Sequence, residues 1–517
     1  MTRRFLAGIL LTWAALLGLL GLLVSGSLDG AGVGSGPASG RKQQKDVVTF
    51  WVGELIGARR ERATRKAVDD YNRRHKDVYV DAVVMPYACY LGKINVAIAT
   101  GQPPDVCVNA VRQIDGLRVK QKIPDLAVPV PDDMMPEEVR RRYGKNCISG
   151  VSRRGRIYLF PSIKYLFGGV LRGNRLGFEK AGVDIDYYVA NGWDYKTFRR
   201  EMKKVQAALR REMGEEAYAL GIGLTLVDEF LYSRLLPNAV GKEVAEREFL
   251  YYDKSRGRYV LDPAMTPRKL AAPMLLMQQL INVDHTWSRK SLGLDFAQQG
   301  NDCDKRGLAA VIWADTPGSA GYAQAEQMDE RRRGLRSGYF RTANVPIPTP
   351  RKGMPLVFRA GADGYGVMRQ IPYKGDKHTR HALEFARYLT SPEVQAKVMM
   401  AARFHVNPWP DEEAVVRCAK GYTDPIQTDP GLRRQWALYL KWLNSSNVVA
   451  PNRVWPDQDA REQIQMRING FISGAGHQIL EQVLYDRKKP SDAAKQILAG
   501  LKDAIDGYYR ERGAEGL

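Results

Sequence analysis

Residues 383–398 read LEFARYLTSPEVQAKV. Leu383, Ala386 and Leu389 recur at helical spacing, so the first half presents one apolar stripe to a core. The stripe stops at Thr390-Ser391-Pro392. Ser391 can cap a second helix with its hydroxyl, and Pro392 stands at a first helical position, where its missing N–H costs nothing. Val394, Val398 and Ala402 continue an apolar face. The stretch predicts two amphipathic helices joined at a capped break.

The pattern upstream is one of alternating strands and helices. Val47-Val48-Thr49-Phe50-Trp51-Val52 is β-branched and aromatic, which predicts a buried strand. A helix over about residues 60–75, a strand over 78–85, a helix over 90–100 and a short strand over 105–108 follow. Gly101-Gln102-Pro103-Pro104 stops the second helix. Strand, helix, strand, helix, strand is the order of a parallel sheet. Further on, residues 252–262 predict a hairpin, and Thr266-Pro267 starts a helix reaching about Ile281.

Several segments share their order with one family. ATGQPPDV (99–106), GRIYLFPSIKYLFGGVLRGNRLGFEKAGV (155–183), Trp193-Asp194-Tyr195-Lys196-Thr197-Phe198, GLAAVIWAD (307–315), Pro346-Ile347-Pro348-Thr349-Pro350 and GADGYGV (361–367) precede the opening helix pair. A closing element over 445–501 contains Trp455. Together they resemble the extracellular solute-binding proteins of ABC importers, in the branch that includes maltose-binding protein. The chain departs from the pattern at Gly192, where the family usually has Thr before the tryptophan.

The resemblance implies a fold and a task. The fold is α/β and two-lobed, of the periplasmic-binding-protein type II, with a ligand cleft between lobes joined by hinge crossovers. It divides the chain into residues 1–44 as signal or anchor plus Gly/Ser linker, 45–161 with 366–408 as the N-terminal lobe, and 162–365 with 409–517 as the C-terminal lobe. In such folds ligand lies beyond the strand ends, and closure about a few hinge residues buries it. The implied task is carbohydrate capture without chemistry, a monomer delivering its ligand to an ABC transporter membrane permease. No cofactor and no metal are expected.

A pyranose offers apolar faces to aromatic rings and a rim of hydroxyls to carboxylates, amides and Arg. Candidates follow from residues placed after strands or at crossovers. Glu54 follows the first strand and suits a hydroxyl, or else a helix dipole. Asn109 follows the 105–108 strand and either binds ligand or forms a turn. Asp105 reads as structural. Tyr165 and Phe167 lie after Pro161 at the first crossover, matching cleft-facing positions of the family; their alternative is core packing. Trp313 and Asp315 end the GLAAVIWAD strand, Asp315 as a hydroxyl acceptor and Trp313 as a platform or core. Tyr365 and Trp455 are the preferred stacking platforms. Arg359 can pair with an anionic ligand or stay solvated. Trp436, Tyr439, Leu440 and Leu443 recur at helical spacing and read as core, and His378 and His381 read as solvent-facing.

The remaining features bound the answer. At 517 residues and 44% hydrophobic content, the chain can fill two cores. Arg3 and Arg4 precede an apolar run over residues 5–24, longer than the roughly 18 that flag a membrane span. It is an export signal cleaved near residues 25–27 or a retained anchor, so the N-terminal segment meets the membrane and the body lies outside the cytoplasm. No lipobox cysteine is present, and general secretory export is expected over the twin-arginine route. The net charge of +21 admits an anionic sugar as a sub-hypothesis, but no zinc-finger spacing, RNP-like strand or Lys/Arg block points to nucleic acid. The five cysteines match no zinc spacing; they are mostly buried thiols, or Cys89 and Cys107 form a bridge. The rivals are a secreted glycoside hydrolase with two carboxylates flanking a bond, for which no G-x-S-x-G or H-E-x-x-H motif is found, and a membrane-anchored sensor using the same lobes.

Overall fold

Val48, Phe50 and Val52 alternate along the chain with Val47, Thr49 and Trp51, and the run forms β1 (Asp46–Glu54). A computed structural model describes residues 45–54, 58–108, 126–153, 155–313, 318–334, 341–402, 410–419, 430–449 and 455–515. Helix α1 (Ala58–Arg74) returns the chain to β2 (Val78–Pro86), which pairs in parallel with the whole of β1. Helix α2 (Tyr87–Ala99) leads to β3 (Val106–Val108), parallel to β1 on its other side. The expected strand and helix order therefore forms as a parallel sheet. Val48, Phe50 and Val52 share a core with Ala67, Val68 and Tyr71 of α1. Tyr90, Ile94 and Ile98 of α2 pack against Met85 and Cys107 on the opposite face.

Two long strands complete this sheet and lead out of it. Strand β4 (Ala127–Val128) is followed by β5 (Leu159–Gly168), and β10 (Phe358–Met368) runs antiparallel to β3, β4 and β5. Leu159, Phe160, Ala362, Tyr365 and Val367 lie in the core under α1. Leu166, Val170, Phe358 and Ala360 lie instead in a separate cluster with Tyr439 and Leu443. The β5–β10 ribbon thus belongs to two cores. Its register shifts between Asp363 and Gly364, opposite Pro161 and Ile163. A side chain on Gly364 would stand 2.1 Å from the Phe160 carbonyl oxygen, so the strands approach too closely there for any other residue.

Beyond the ribbon, Gly168 and Gly169, with φ of 79° and 69°, turn the chain into a second sheet. It comprises β6 (Val170–Asn174), β7 (Tyr218–Gly221), β8 (Ala309–Ile312) and β9 (Thr342–Pro346) in the order β9-β6-β8-β7. Helix α3 (Tyr195–Met213) buries Phe198, Met202, Val205 and Leu209. Helix α4 (Pro267–Asn282), capped by Thr266, adds Leu270, Met274 and Met277 to the same core. The hairpin Leu250–Asp253 with Arg258–Leu261 lies where expected.

The helix pair of residues 383–398 is present as α5 (Asp376–Leu389) and α6 (Pro392–Ala402), with Leu383, Ala386 and Leu389 buried. Helix α6 packs on α1. Of the four residues whose spacing predicts core, helix α7 (Pro430–Leu443) buries Tyr439 and Leu443 and leaves Trp436 and Leu440 half-buried. Strand β11 (Val448–Val449), α8 (Gln458–Phe471) and α9 (Pro490–Glu515) close the chain. Ile497, Leu501 and Ile505 of α9 finish the second core.

One expectation fails. His378 and His381 do not face solvent: both are buried, at 8% and 7% exposure. The first turn of α5 crosses the starts of β1 and β3, where Asp46 and Asp105 need donors. The two ring nitrogens of His378 lie 2.7 Å from Asp46 Oδ1 and 2.8 Å from Asp105 Oδ1. A neutral imidazole has one N–H, so a ring facing two carboxylates is the imidazolium. Burial pushes the His378 pKa down, but hydrogen bonds to Asp105 and Asp46 outweigh it and hold the pKa above the usual value. Burial likewise raises the carboxyls of Asp105 and Asp46, and the His378 contacts reverse this and hold both below the ordinary range. Thr49 and Lys374 complete the Asp105 shell, and His381 binds Asp46 Oδ2 and stands near Asp77. Asp105 is structural, as its position suggested. Of the two cysteine readings, mostly buried thiols holds and the Cys89–Cys107 bridge does not form: Cys107, Cys147 and Cys303 are buried, Cys89 and Cys418 are exposed, and none is disulfide-bonded.

This network sets a pH window. The raised His378 pKa stabilises the fold fully below about pH 6.5 and is lost as pH rises through the folded value, whereas the lowered Asp46 and Asp105 values stabilise it above about pH 4 and are lost on acidification. The thermal unfolding midpoint is expected to be highest between about pH 4 and 6.5, and His378→Gln should flatten the alkaline fall. An unchanged alkaline limb in that variant contradicts the assignment. Gly364→Ala should cost about 1–3 kcal/mol through overpacking, read as a lower urea midpoint with an unchanged slope.

Candidate functional site

Trp455 immediately precedes α8, and Asp457 caps that helix by accepting from Ala460 N–H. Gln458, Arg461 and Glu462 therefore lie within about two turns of the tryptophan. Trp455 N–H donates to Gln458 Oε1 at 3.1 Å, and the Arg461 guanidinium lies 4.3 Å from the indole centroid. The ring is half-buried.

Side chains from distant segments converge on the same turn. Arg461 also lies 3.7 Å from Glu248, and Arg359 on β10 donates to the other Glu248 oxygen at 2.5 Å. Glu462 accepts from Gln458 at 3.1 Å and from Arg153 at 2.9 Å. Arg153 belongs to a short hairpin, Ser152–Arg153 with Arg156–Ile157, beside the first core, so this contact links the two halves of the described body. Burial pushes the Arg461 pKa below its usual value, and Glu248 offsets part of that cost. Three guanidiniums thus share two carboxylates. Arg359, read in sequence as solvated or anion-binding, is engaged by Glu248.

Tyr165 and Phe167 share one face of β5, their ring centroids 4.5 Å apart and edge-on. Their register partners on β10 are Gly361 and Arg359. The two rings are therefore joined to the Trp455 cluster through Arg359 and Glu248. Tyr165 is buried and Phe167 half-buried.

The other candidates lie apart. Tyr365 is 7% exposed, its ring edge-on to Phe50 in the first core. Trp313 is 1% exposed at the end of β8, with the Arg234 guanidinium 4.3 Å from its ring centroid. Glu54 is the last residue of β1, opposite Pro86. Asn109 and Asp315 lie outside the described residues. Sequence reasoning missed Glu248, Arg153 and the α8 trio. The spacing of Gln458, Arg461 and Glu462 directly after Trp455 was the available signal; Glu248 and Arg153 had none, because only the tertiary fold brings them in.

No curated protein is recognisably similar to the chain in sequence. Solved structures match it nonetheless. A chain described under xylan utilization by Caldanaerobius polysaccharolyticus superposes with a TM-score of 0.61 at 15% identity, covering 88% of this chain and 99% of its own. Maltose-bound MalE3 of T. maritima gives 0.57 at 16% identity, over 88% and 99%. An ABC transporter solute-binding protein of Thermotoga lettingae bound with α-D-tagatose gives 0.60 at 14% identity, over 89% and 100%. At these identities the likeness establishes a mixed α/β, two-lobed periplasmic solute-binding fold. A family model matches residues 57–396, most of the chain, and with the two sheets joined by one ribbon it identifies the chain as a member of the bacterial extracellular solute-binding protein family.

Proposed function

We propose that this protein captures a carbohydrate between its two lobes by hinge closure and hands it to an ABC transporter permease, acting as a binding protein and not an enzyme. The observation that carries the reading is the cluster around Trp455, in which an aromatic ring, an amide, carboxylates and guanidiniums from both cores converge. That is the set a pyranose needs: a ring for its apolar face and a hydrogen-bonding rim. The solved relatives that hold maltose and tagatose support a sugar.

The proposed lobes are residues 45–161 with 366–408, and 162–365 with 409–517. The register shift at Asp363 and Gly364, opposite Pro161 and Ile163, lies at this division and supports a hinge there. Trp455 is the proposed platform, Phe167 and Tyr165 the facing wall, and Glu54, Asn109 and Asp315 contributors from the strand ends. Because Glu248 and Glu462 share the three arginines, a neutral sugar is favoured over a strongly anionic one. The family description supports a location outside the cytoplasm. The segment over residues 5–24 is proposed to export or tether a monomeric body, and no helix among the described residues is long and apolar enough to cross a membrane.

A thermal-shift and calorimetric screen of neutral, carboxylated and sulfated oligosaccharides tests the reading. A neutral sugar at a hundredfold its dissociation constant should add about 2.7 kcal/mol to stability. Trp455→Ala should weaken binding at least tenfold, about 1.4 kcal/mol. Release of shortened glycan on incubation would replace binding with hydrolysis. Stabilisation by anionic sugars alone would overturn the neutral assignment.

A further inference from the structure

Strand β1 has a second face that the interlobe reading does not use. Val48, Phe50 and Val52 point into the first core, so Val47, Thr49 and Trp51 point the other way. Helix α2 packs beside Trp51 on that side, yet Val47 and its register partner Tyr79 are each 46% exposed, and Val83 beside Trp51 is 40% exposed. A parallel sheet ordinarily has both faces covered.

On this face lies a hollow of about 380 Å³, lined by Thr49, Trp51, Gln102, Pro103, Pro104, Gln370, Ile371, Pro372 and Lys374. Thr49 stands early in β1, and Gln102 to Pro104 precede β3, so the hollow opens at the starting ends of the parallel strands. The interlobe cleft expected of this fold lies beyond their finishing ends. The two are separate places.

The lining has the composition of a sugar site. Trp51 supplies a half-exposed indole, and Pro103, Pro104, Ile371 and Pro372 form an apolar rim. Gln370 Nε2 reaches Thr49 Oγ1 at 3.5 Å, while neither its side-chain oxygen nor the Gln102 side-chain amide has a hydrogen-bond partner among the described residues. Two such amides present donors and acceptors side by side, which matches vicinal hydroxyls. The one cation, Lys374, is 3.2 Å from Asp105, whose charge also meets His378. The floor is therefore close to neutral and does not select an anion.

We propose that this hollow is a second carbohydrate site, taking one neutral pyranose unit of an oligosaccharide against Trp51. A shallow site for one ring implies a dissociation constant in the millimolar range. Its effect is to hold a glycan near the protein and raise the concentration from which the cleft draws.

The test uses the full chain labelled with 5-fluorotryptophan, whose nine tryptophans give separate fluorine resonances; Trp51→Phe assigns the one in question. Titration with maltotriose and with cellobiose should move the Trp51 resonance saturably, and should do so equally in a Trp455→Ala protein. Gln102→Ala with Gln370→Ala should weaken that response several-fold while the unfolding midpoint stays within a degree or two of the parent. No movement of Trp51 with either sugar at tens of millimolar overturns the proposal. So does movement with protein concentration in the absence of sugar, which would make this face a contact between copies. In the parent protein, movement of the Trp51 resonance with a stationary Trp455 resonance would keep the second site and remove the cleft reading, so the two stand or fall separately.

Discussion

The pairing of β5 with β10 is the constraint on which the rest of the structure depends. Its side chains belong to both the first core and the Tyr439 cluster, so the two sheets are positioned through it. The ribbon holds Tyr165 and Phe167 on one strand and Arg359 on the other, and Arg359 reaches Glu248 and through it Arg461 and Trp455. The packing that holds the body together therefore also arranges the proposed ligand contacts. A binding protein built this way has a physical reason to close: ligand contacts on both sides of a thin antiparallel ribbon gain only when the sides approach.

Charge is distributed in keeping with that role. A net charge of +21 suggests an anion-seeking surface, yet near Trp455 every named arginine has a carboxylate in reach. Buried guanidiniums need such partners, since desolvating an unpaired charge costs several kcal/mol. The same logic governs the start of the first sheet, where buried Asp105 and half-buried Asp46 are surrounded by His378, His381, Lys374 and Thr49. The excess positive charge is carried by exposed side chains such as Arg62, Lys66, Arg73 and Arg74 on α1.

Much of the fold was legible in the chain because it is written in local patterns. A β-branched and aromatic run marked β1, the 3.6-residue period marked α5 and α7, and the Ser391-Pro392 break separated α5 from α6. What sequence could not carry was the orientation of one element's polar residues toward another. His378 and His381 look like the wet side of an amphipathic helix until the carboxylates at the starts of β1 and β3 are placed beneath them. Tyr365 and Trp313 lie at plausible ligand positions in the chain, but burial against Phe50 and Arg234 depends on which face of each strand turns inward. Trp455 and Phe167 remain partly exposed, and the residues around them come from segments hundreds of positions apart.

The central claim is that carbohydrate draws the two lobes together and leaves chemically unchanged. Energy transfer between fluorophores on the exposed faces of α1, in the first core, and α3, in the second, measures this directly. The account predicts that a saturating sugar shortens the mean distance reversibly, and that washing out the intact sugar restores it. A bound sugar that leaves the distance unaltered would contradict hinge capture.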